Sequence, residues 1–377
     1  MDYALTADQR LFAATTREFL AASVPLDVVR GLATAGVGFD REWWRRGAEL
    51  GWTAPLVPEE LGGGSVSSAP MADLALLAVE FGRACAPGPL VTTSAVLAGL
   101  AGERDRFAEL VTAILSGETV AAWAYYEPGR GFAEAPERTV AVPVGDGFRV
   151  TGVKDRVECG DQAEMFLVPA LGPDGPVQVV IPADTSGVAV TPMWTLDLVR
   201  RMATVEFDEV LVGPDAVVQS HPRAVRSALE AQEHVAAVLT AAESTGAAEH
   251  AFGLTVGWMF DRYTFGRPLA SYQALKHRAA DGKTALEACQ ATVWAAANTF
   301  GTDPTATAEA VGVAKSFVGG VTPELVQECV QIHGGIGVTW EHDLHLYLRR
   351  VTTGRAMYGT PEEHRRRLAA LLDRKVA

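Results

Sequence analysis

Two stretches in the C-terminal half hold residue types that could grip an anion. The first runs Arg262-Tyr263-Thr264-Phe265-Gly266-Arg267-Pro268, with Gln273 and His277 after it. The second runs Gln331-Ile332-His333-Gly334-Gly335-Ile336-Gly337, with Arg349 further on. In the first, a guanidinium stands beside an aromatic ring and a Gly-Arg-Pro turn. Arginine offers a planar fork of donors that matches the oxygens of a phosphate or carboxylate. In the second, paired glycines follow an amide side chain. A backbone without Cβ lets a ligand or another chain come close. On spacing alone, the capping of two helix ends accounts for these segments as well as phosphate binding does.

The elements that must carry these residues fall into three zones. From Thr6 to about Ser116 apolar residues recur at helical spacing, as in Phe12, Phe19 and Leu20 and again in Leu74, Leu77 and Phe81. Pro58 and Gly62–Gly64 interrupt this zone as a loop. From about Glu118 to Pro214 short β-branched runs alternate with turn signals. Thr139–Val144 and Phe148–Val153 flank Gly145-Asp146-Gly147 as a hairpin, and a second pair of runs flanks Gly172-Pro173-Asp174-Gly175. Such strands predict a small antiparallel sandwich or barrel. From about Pro222 to Leu372 the helical period returns in long Ala-rich segments, Ala224–Met259, Leu275–Phe300 and Pro323–His333, which predict a helix bundle. The boundaries are a helical domain over 1–117, a β domain over 118–215 and a helical bundle over 216–377.

Bulk properties narrow the function classes. The net charge of −14 is unsuited to nucleic acid, and the one dense basic run, Glu363–Arg367, reads as a solvated helix face. No apolar stretch approaches the ~20 residues that span a bilayer, so no membrane partner is expected. The N-terminus MDYALTADQR lacks a basic start leading into an apolar run, which makes the cytoplasm the expected location. Four scattered cysteines (Cys85, Cys159, Cys289 and Cys329) form no Cys-x-x-Cys pair. They read as buried reduced thiols, and no metal is expected.

The two C-terminal motifs together resemble the C-terminal domain of the flavin-dependent acyl-CoA dehydrogenases. Glu49-Leu50-Gly51-Trp52, Val57-Pro58-Glu59-Glu60-Leu61-Gly62-Gly63, Glu127-Pro128 and Gly152-Val153-Lys154 are similar to that family too, so the resemblance covers nearly the whole chain. It implies a mainly α fold with a central β domain: N-terminal helices, a β-sandwich or barrel, and a C-terminal four-helix bundle. It implies FAD bound across a subunit interface in a tetramer. Arg262 and Phe265 would contact the diphosphate of the neighbour's FAD, with Gln273 nearby. Gln331, Gly334 and Gly335 would hold the adenosine half. The implied reaction is α,β-dehydrogenation of an acyl-CoA thioester to the 2-enoyl-CoA, with an electron-transfer flavoprotein as the onward acceptor.

The positions where this family keeps its base hold other residues here. An ungapped count from Gly334 brings the usual Tyr-Glu-Gly-Thr phrase to Met357-Tyr358-Gly359-Thr360. The Gly-Thr matches, with Thr360 on the cofactor side, while the glutamate position holds Tyr358. A phenol of pKa ≈ 10 is ionised in roughly one molecule per thousand at pH 7. Tyr358 therefore reads as a pocket wall whose backbone N–H could donate to a thioester carbonyl. The alternative base position, on the long helix, falls on Ala236. Glu233 and Glu243 flank it on nearby faces. Glu243 follows Ala241-Ala242, where burial would raise its pKa toward that of a base, or where an arginine could hold it as a structural carboxylate. In the β domain the family's Trp-Ile-Thr corresponds to Arg156-Val157-Glu158, and its threonine before Glu127 to Tyr126. A glutamate beside the flavin's electron-accepting end would disfavour the reduced anion.

Three readings follow. The chain is the base-lacking subunit of a mixed tetramer, completing a related partner's FAD site, as in some bacterial members that act on steroid side-chain CoA thioesters. Or it is a homo-oligomeric dehydrogenase with a relocated base. Or it is a non-redox protein on the same fold, a CoA-thioester hydratase or lyase or a structural subunit. A Cys159/His333 hydrolase lacks any nucleophile elbow.

Overall fold

Apolar spacing changes twice along the chain, and the backbone follows it. The computed structural model describes residues 5–103, 106–132 and 136–376. Six helices come first: α1 (Ala7–Ser23), α2 (Leu26–Ala35), α3 (Arg41–Glu49), α4 (Pro70–Arg83), α5 (Leu90–Leu100) and α6 (Ala108–Leu115). Eight strands follow: β1 (Ala121–Trp123), β2 (Val140–Val144), β3 (Gly147–Glu158), β4 (Met165–Gly172), β5 (Gly175–Pro182), β6 (Val188–Met193), β7 (Met202–Val212) and β8 (Val217–Gln219). The last stretch holds α7 (Pro222–Asp261), a hairpin of β9 (Tyr263–Thr264) and β10 (Arg267–Pro268), then α8 (Gln273–Thr299), α9 (Pro304–His333), α10 (Leu344–Ala356) and α11 (Pro361–Val376). Among the described residues no helix is long and apolar enough to cross a membrane.

The chain clusters into two compact units. One comprises Leu32–Pro70 and Pro87–Ala236, and the other Met1–Gly31, Met71–Ala86 and Ala237–Ala377. In the first, the strands form one sheet in the order β6-β7-β3-β2-β4-β5-β8, with β1 beside β4. Both hairpins predicted from turn residues are present with two-residue loops, Val144 facing Gly147 and Gly172 facing Gly175. The expectation of purely antiparallel strands is corrected, because β4 runs parallel to both β1 and β2. The chain leaves β3 at Cys159, skips past β2 and re-enters on its far side. A connection that skips one strand of an antiparallel pair makes the new strand parallel to the skipped one. Alternate residues of the sheet supply the core, Phe166 and Val168, Val179 and Ile181, Val205 and Phe207, and the register shifts of β3 against β7 lie between Val150 and Val157, which share that core. Each such side chain contributes about 1.5–3 kcal/mol by leaving water.

The second unit is helical. α8, α10 and α11 all pack on α9. Ala224–Met259 lies within the single 40-residue helix α7. α9 continues through Pro323, where the sequence suggested a fresh start. The proline has no N–H for the carbonyl of Gly319 four residues back. Arg355 Nη1 donates to that carbonyl at 3.1 Å, so no buried acceptor is stranded. α4 and α7 approach until their backbones touch. A Cβ on Gly82 would lie 1.8 Å from the carbonyl oxygen of Glu243, and one on Gly246 would lie 1.9 Å from that of Val79.

Candidate cofactor and substrate site

All nine residues singled out as catalytic or cofactor-binding fall in the helical unit. α7 ends at Asp261 and the chain reverses in the β9–β10 hairpin, with Thr264 facing Arg267 and Tyr263 facing Pro268. The two loop residues, Phe265 (φ 51) and Gly266 (φ 79), are both left-handed, as a type I′ turn requires. Glycine accepts that conformation freely, whereas a bulky side chain is strained there. Phe265 is also 93% exposed, so nothing in its own unit compensates the strain. Two bonds brace the hairpin: Leu269 N–H donates to Arg262 O at 2.8 Å, and Tyr272 Oη–H to Thr264 O at 2.7 Å. Arg267 lies 3.9 Å from the Tyr272 ring centroid and is already engaged. Arg262 and Gln273 face solvent.

The second motif ends α9. Gln331 is exposed on the last turn, and Gly334 and Gly335 are exposed with open space where a Cβ would stand. His333 turns inward, its Nδ1 2.9 Å from Cys329 O. Its ring stacks on Trp258 at 5.2 Å, and the Arg262 guanidinium lies 5.9 Å from the Trp258 ring. A ladder of Arg262, Trp258 and His333 thus joins the two motifs. Beside it a cleft of about 490 Å³ is lined by Arg83, His250, Gly253, Trp258, His333 and His342.

Tyr358 is buried, with φ 52, and Gly359 follows at φ 94. The turn between α10 and α11 is fastened on three sides. Lys315 Nζ donates to the carbonyls of Gly354 and Gly359, each at 2.8 Å. His364 Nε2 lies 2.9 Å from Tyr358 O. Thr360 N-caps α11: its N–H donates to Glu363 and its hydroxyl accepts from Glu363 N–H. Burial, followed by the charge of Lys315, holds the His364 pKa down to about 4. Between pH 6.5 and about 4 the unfolded chain therefore binds a proton that the folded chain refuses. The stability from this group is complete above pH 6.5 and drains as pH falls, by up to about 1.4 kcal/mol per unit. Urea unfolding at pH 7 and pH 5.5 measures it. His364→Gln is expected to lessen the acid loss over this interval by about 1 kcal/mol, and an unchanged loss would remove this imidazole from the account.

Glu243 is buried and ion-paired with Arg350. Arg350 is itself 2% exposed and also donates to Ala86 O and Cys85 O. Of the two roles open to Glu243, the arrangement matches the arginine-held carboxylate. Glu233 lies in the other unit, where its carboxylate accepts from Tyr125 Oη–H at 2.5 Å. Ala236 is fully buried.

In the sheet unit, Glu127 accepts from the N–H groups of Glu137, Arg138 and Thr139, and Lys154 lies 3.3 Å away. Burial pulls the Glu127 carboxyl up, but Lys154 and these N–H groups outweigh it and hold the pKa below the usual value. Lys154, wholly buried, is pulled down to about 8 by desolvation, against the opposing pull of Glu127. The Arg156 guanidinium lies 4.2 Å from the Tyr126 ring centroid and donates to Arg130 O at 2.7 Å. Glu158 forms a buried ion pair with Arg200 at 2.9 Å, so the charge feared beside a flavin is matched internally.

Comparison with known proteins identifies the family and the fold. The family description "Acyl-CoA dehydrogenase, N-terminal domain" matches residues 6–118, and "Acyl-CoA dehydrogenase, C-terminal domain" matches residues 226–372. Acyl-CoA dehydrogenase IpdE2 of Mycobacterium tuberculosis is 31% identical over 350 residues, spanning 90% of this chain and 89% of that protein. The chain belongs to the acyl-CoA dehydrogenase family. Among solved structures of this family, a variant of the Tcur3481-Tcur3483 steroid acyl-CoA dehydrogenase matches at TM-score 0.86 and 27% identity, covering 98% of each chain. The ChsE4-ChsE5 complex from Mycobacterium tuberculosis matches at TM-score 0.85 and 25% identity, covering 99% of each chain. The acyl-CoA dehydrogenase fold and family are those that the paired motifs implied. Lys315 and His364 were not foreseen. A lone lysine among Val311, Ala314 and Val318 was the available sign, since a buried ammonium needs acceptors close by.

Proposed function

We propose that this chain is the cofactor-completing subunit of an FAD-dependent acyl-CoA dehydrogenase and works beside a related subunit that carries the base. One contrast supports the reading. The dinucleotide-gripping residues Arg262, Phe265, Gly334 and Gly335 are preset and face solvent, while the two base positions hold Tyr358 and Ala236. The donor set fits a diphosphate: an exposed guanidinium, and a glycine turn open enough for a ligand to reach its backbone. The ring side fits less well, because Arg156 already lies against Tyr126 and is bonded to Arg130 O.

Bound FAD supplies the acceptor for the hydride that leaves the β-carbon of the acyl-CoA. The chain's own residues clamp the diphosphate with Arg262, cover it with Phe265, and seat the adenosine half against Gln331, Gly334 and Gly335. The α-proton goes to a carboxylate of the related subunit. Reducing equivalents pass on to an electron-transfer flavoprotein. The names of Tcur3481-Tcur3483 and ChsE4-ChsE5 each pair two chains, which supports a mixed assembly here.

The test is to purify the chain alone and together with a related dehydrogenase chain, and to count FAD per chain from the flavin spectrum. The expected result is little flavin on the chain alone and about one FAD per pair in the mixture, bleached anaerobically by an acyl-CoA. Stoichiometric FAD on the chain alone, bleached by the same thioester, would overturn the mixed assembly.

A further inference from the structure

Beyond the glycine turn the chain forms a short 3-10 helix, Gly334–Val338, and then an irregular segment that leads into α10. Trp340 lies in this segment and is 46% exposed. Half-exposed tryptophans are common, but this one is held in place. His345 stacks behind it at 4.4 Å between ring centroids and 18° between planes. His345 Nε2 lies 3.2 Å from Trp340 O. Arg349, one turn further along α10, places its guanidinium 6.0 Å from the indole.

The neighbouring residues are pinned as well. Thr339 N–H and its hydroxyl both bond Ile336 O, and Arg30 Nη1 donates to Glu341 O at 3.1 Å. His342 meets the ring of His333 at 4.6 Å, and so ties the segment to the ladder that ends in Arg262. Burial, ahead of all other causes, lowers the pKa of His345, which keeps its imidazole neutral at pH 7. A neutral imidazole stacks under an indole without adding a charge to the platform.

A rigid, partly exposed indole beside a guanidinium and next to an open Gly-Gly turn is equipment for a nucleobase. Every base has a π-face, and stacking on an aromatic side chain adds affinity without needing any particular hydrogen-bond pattern. We propose that Trp340, backed by His345, is the stacking platform for the adenine of the dinucleotide held by Arg262 and Gly334–Gly335. This rests on the reading that the chain grips the adenosine half of FAD. It adds the residue that would make the site prefer an adenine nucleotide over a bare diphosphate.

Calorimetry on the chain assembled with its related subunit and freed of flavin tests it, with ADP and inorganic pyrophosphate as the two probes. The wild type is expected to bind ADP more tightly than pyrophosphate. Trp340→Ala is expected to weaken ADP binding about tenfold and leave pyrophosphate binding unchanged, while Trp340→Phe keeps most of the ADP affinity. A disturbance of the fold would weaken both probes together and would not be rescued by phenylalanine. Equal ADP affinity in the wild type and Trp340→Ala would overturn the platform and leave the grip intact. Failure of the wild type to bind either probe would overturn the grip and the platform together.

Discussion

Arg262→Ala is expected to lower the affinity of the assembled protein for FAD by about 10²–10⁴-fold. Charge-assisted hydrogen bonds contribute roughly 1.5–3 kcal/mol each, and a guanidinium facing a diphosphate makes two of them. Equilibrium dialysis against FAD measures the loss. Arg267→Ala is the control, because that guanidinium already lies against Tyr272 and its removal should change affinity little. Raising the salt concentration should weaken FAD binding in the wild type more steeply than in Arg262→Ala. A companion change separates function from folding. Phe265→Gly relieves the left-handed strain at the hairpin tip, so it should hold or raise thermal stability while loosening FAD. If Arg262→Ala retains FAD as well as the wild type does, the diphosphate lies elsewhere.

The second large effect separates the two roles of Glu243. Arg350→Met leaves a buried carboxylate without its cation, which costs about 3–5 kcal/mol. Urea unfolding should show that loss directly. Glu243→Gln keeps an acceptor for Arg350 and should cost less than half as much. If Glu243 holds α10 in place, Glu243→Gln leaves turnover per folded molecule near the wild-type value. If it abstracts the substrate proton, turnover falls by at least 10²-fold while stability barely moves. The buried pair with Arg350 makes the first outcome the expected one.

Most of the architecture was legible because local chemistry decided it. Gly145-Asp146 marks a tight hairpin loop, and the Ala-rich stretch after Pro222 has no internal proline to break a helix. The parallel strands were not legible, because the skip from β3 past β2 leaves no mark in either strand's own pattern. Pro323 misled for a similar reason. Its orphaned acceptor is satisfied by Arg355, thirty-two residues later in the chain. At the site, Arg262, Phe265 and the Gly334–Gly335 turn could be named from spacing and resemblance. The pairings that settle charge could not be named. In the sequence Glu158 reads as a threat to a flavin and Glu243 equally as base or strut, and neither pattern points to the partners Arg200 and Arg350. Long-range ion pairs depend on which helices and strands become neighbours, and periodicity does not encode that.

The contact between α4 and α7 carries a consequence for how this protein tolerates change. At Gly82 the spacer between the two helices is a hydrogen atom, and the carbonyl it faces belongs to Glu243. Just past the end of α4 lie the Cys85 and Ala86 carbonyls that Arg350 grips. A single methyl at Gly82 would act as a wedge, levering α4 outward and dragging those two acceptors away from the guanidinium. An ion pair several ångströms from the substitution would then loosen without any of its own atoms having been altered.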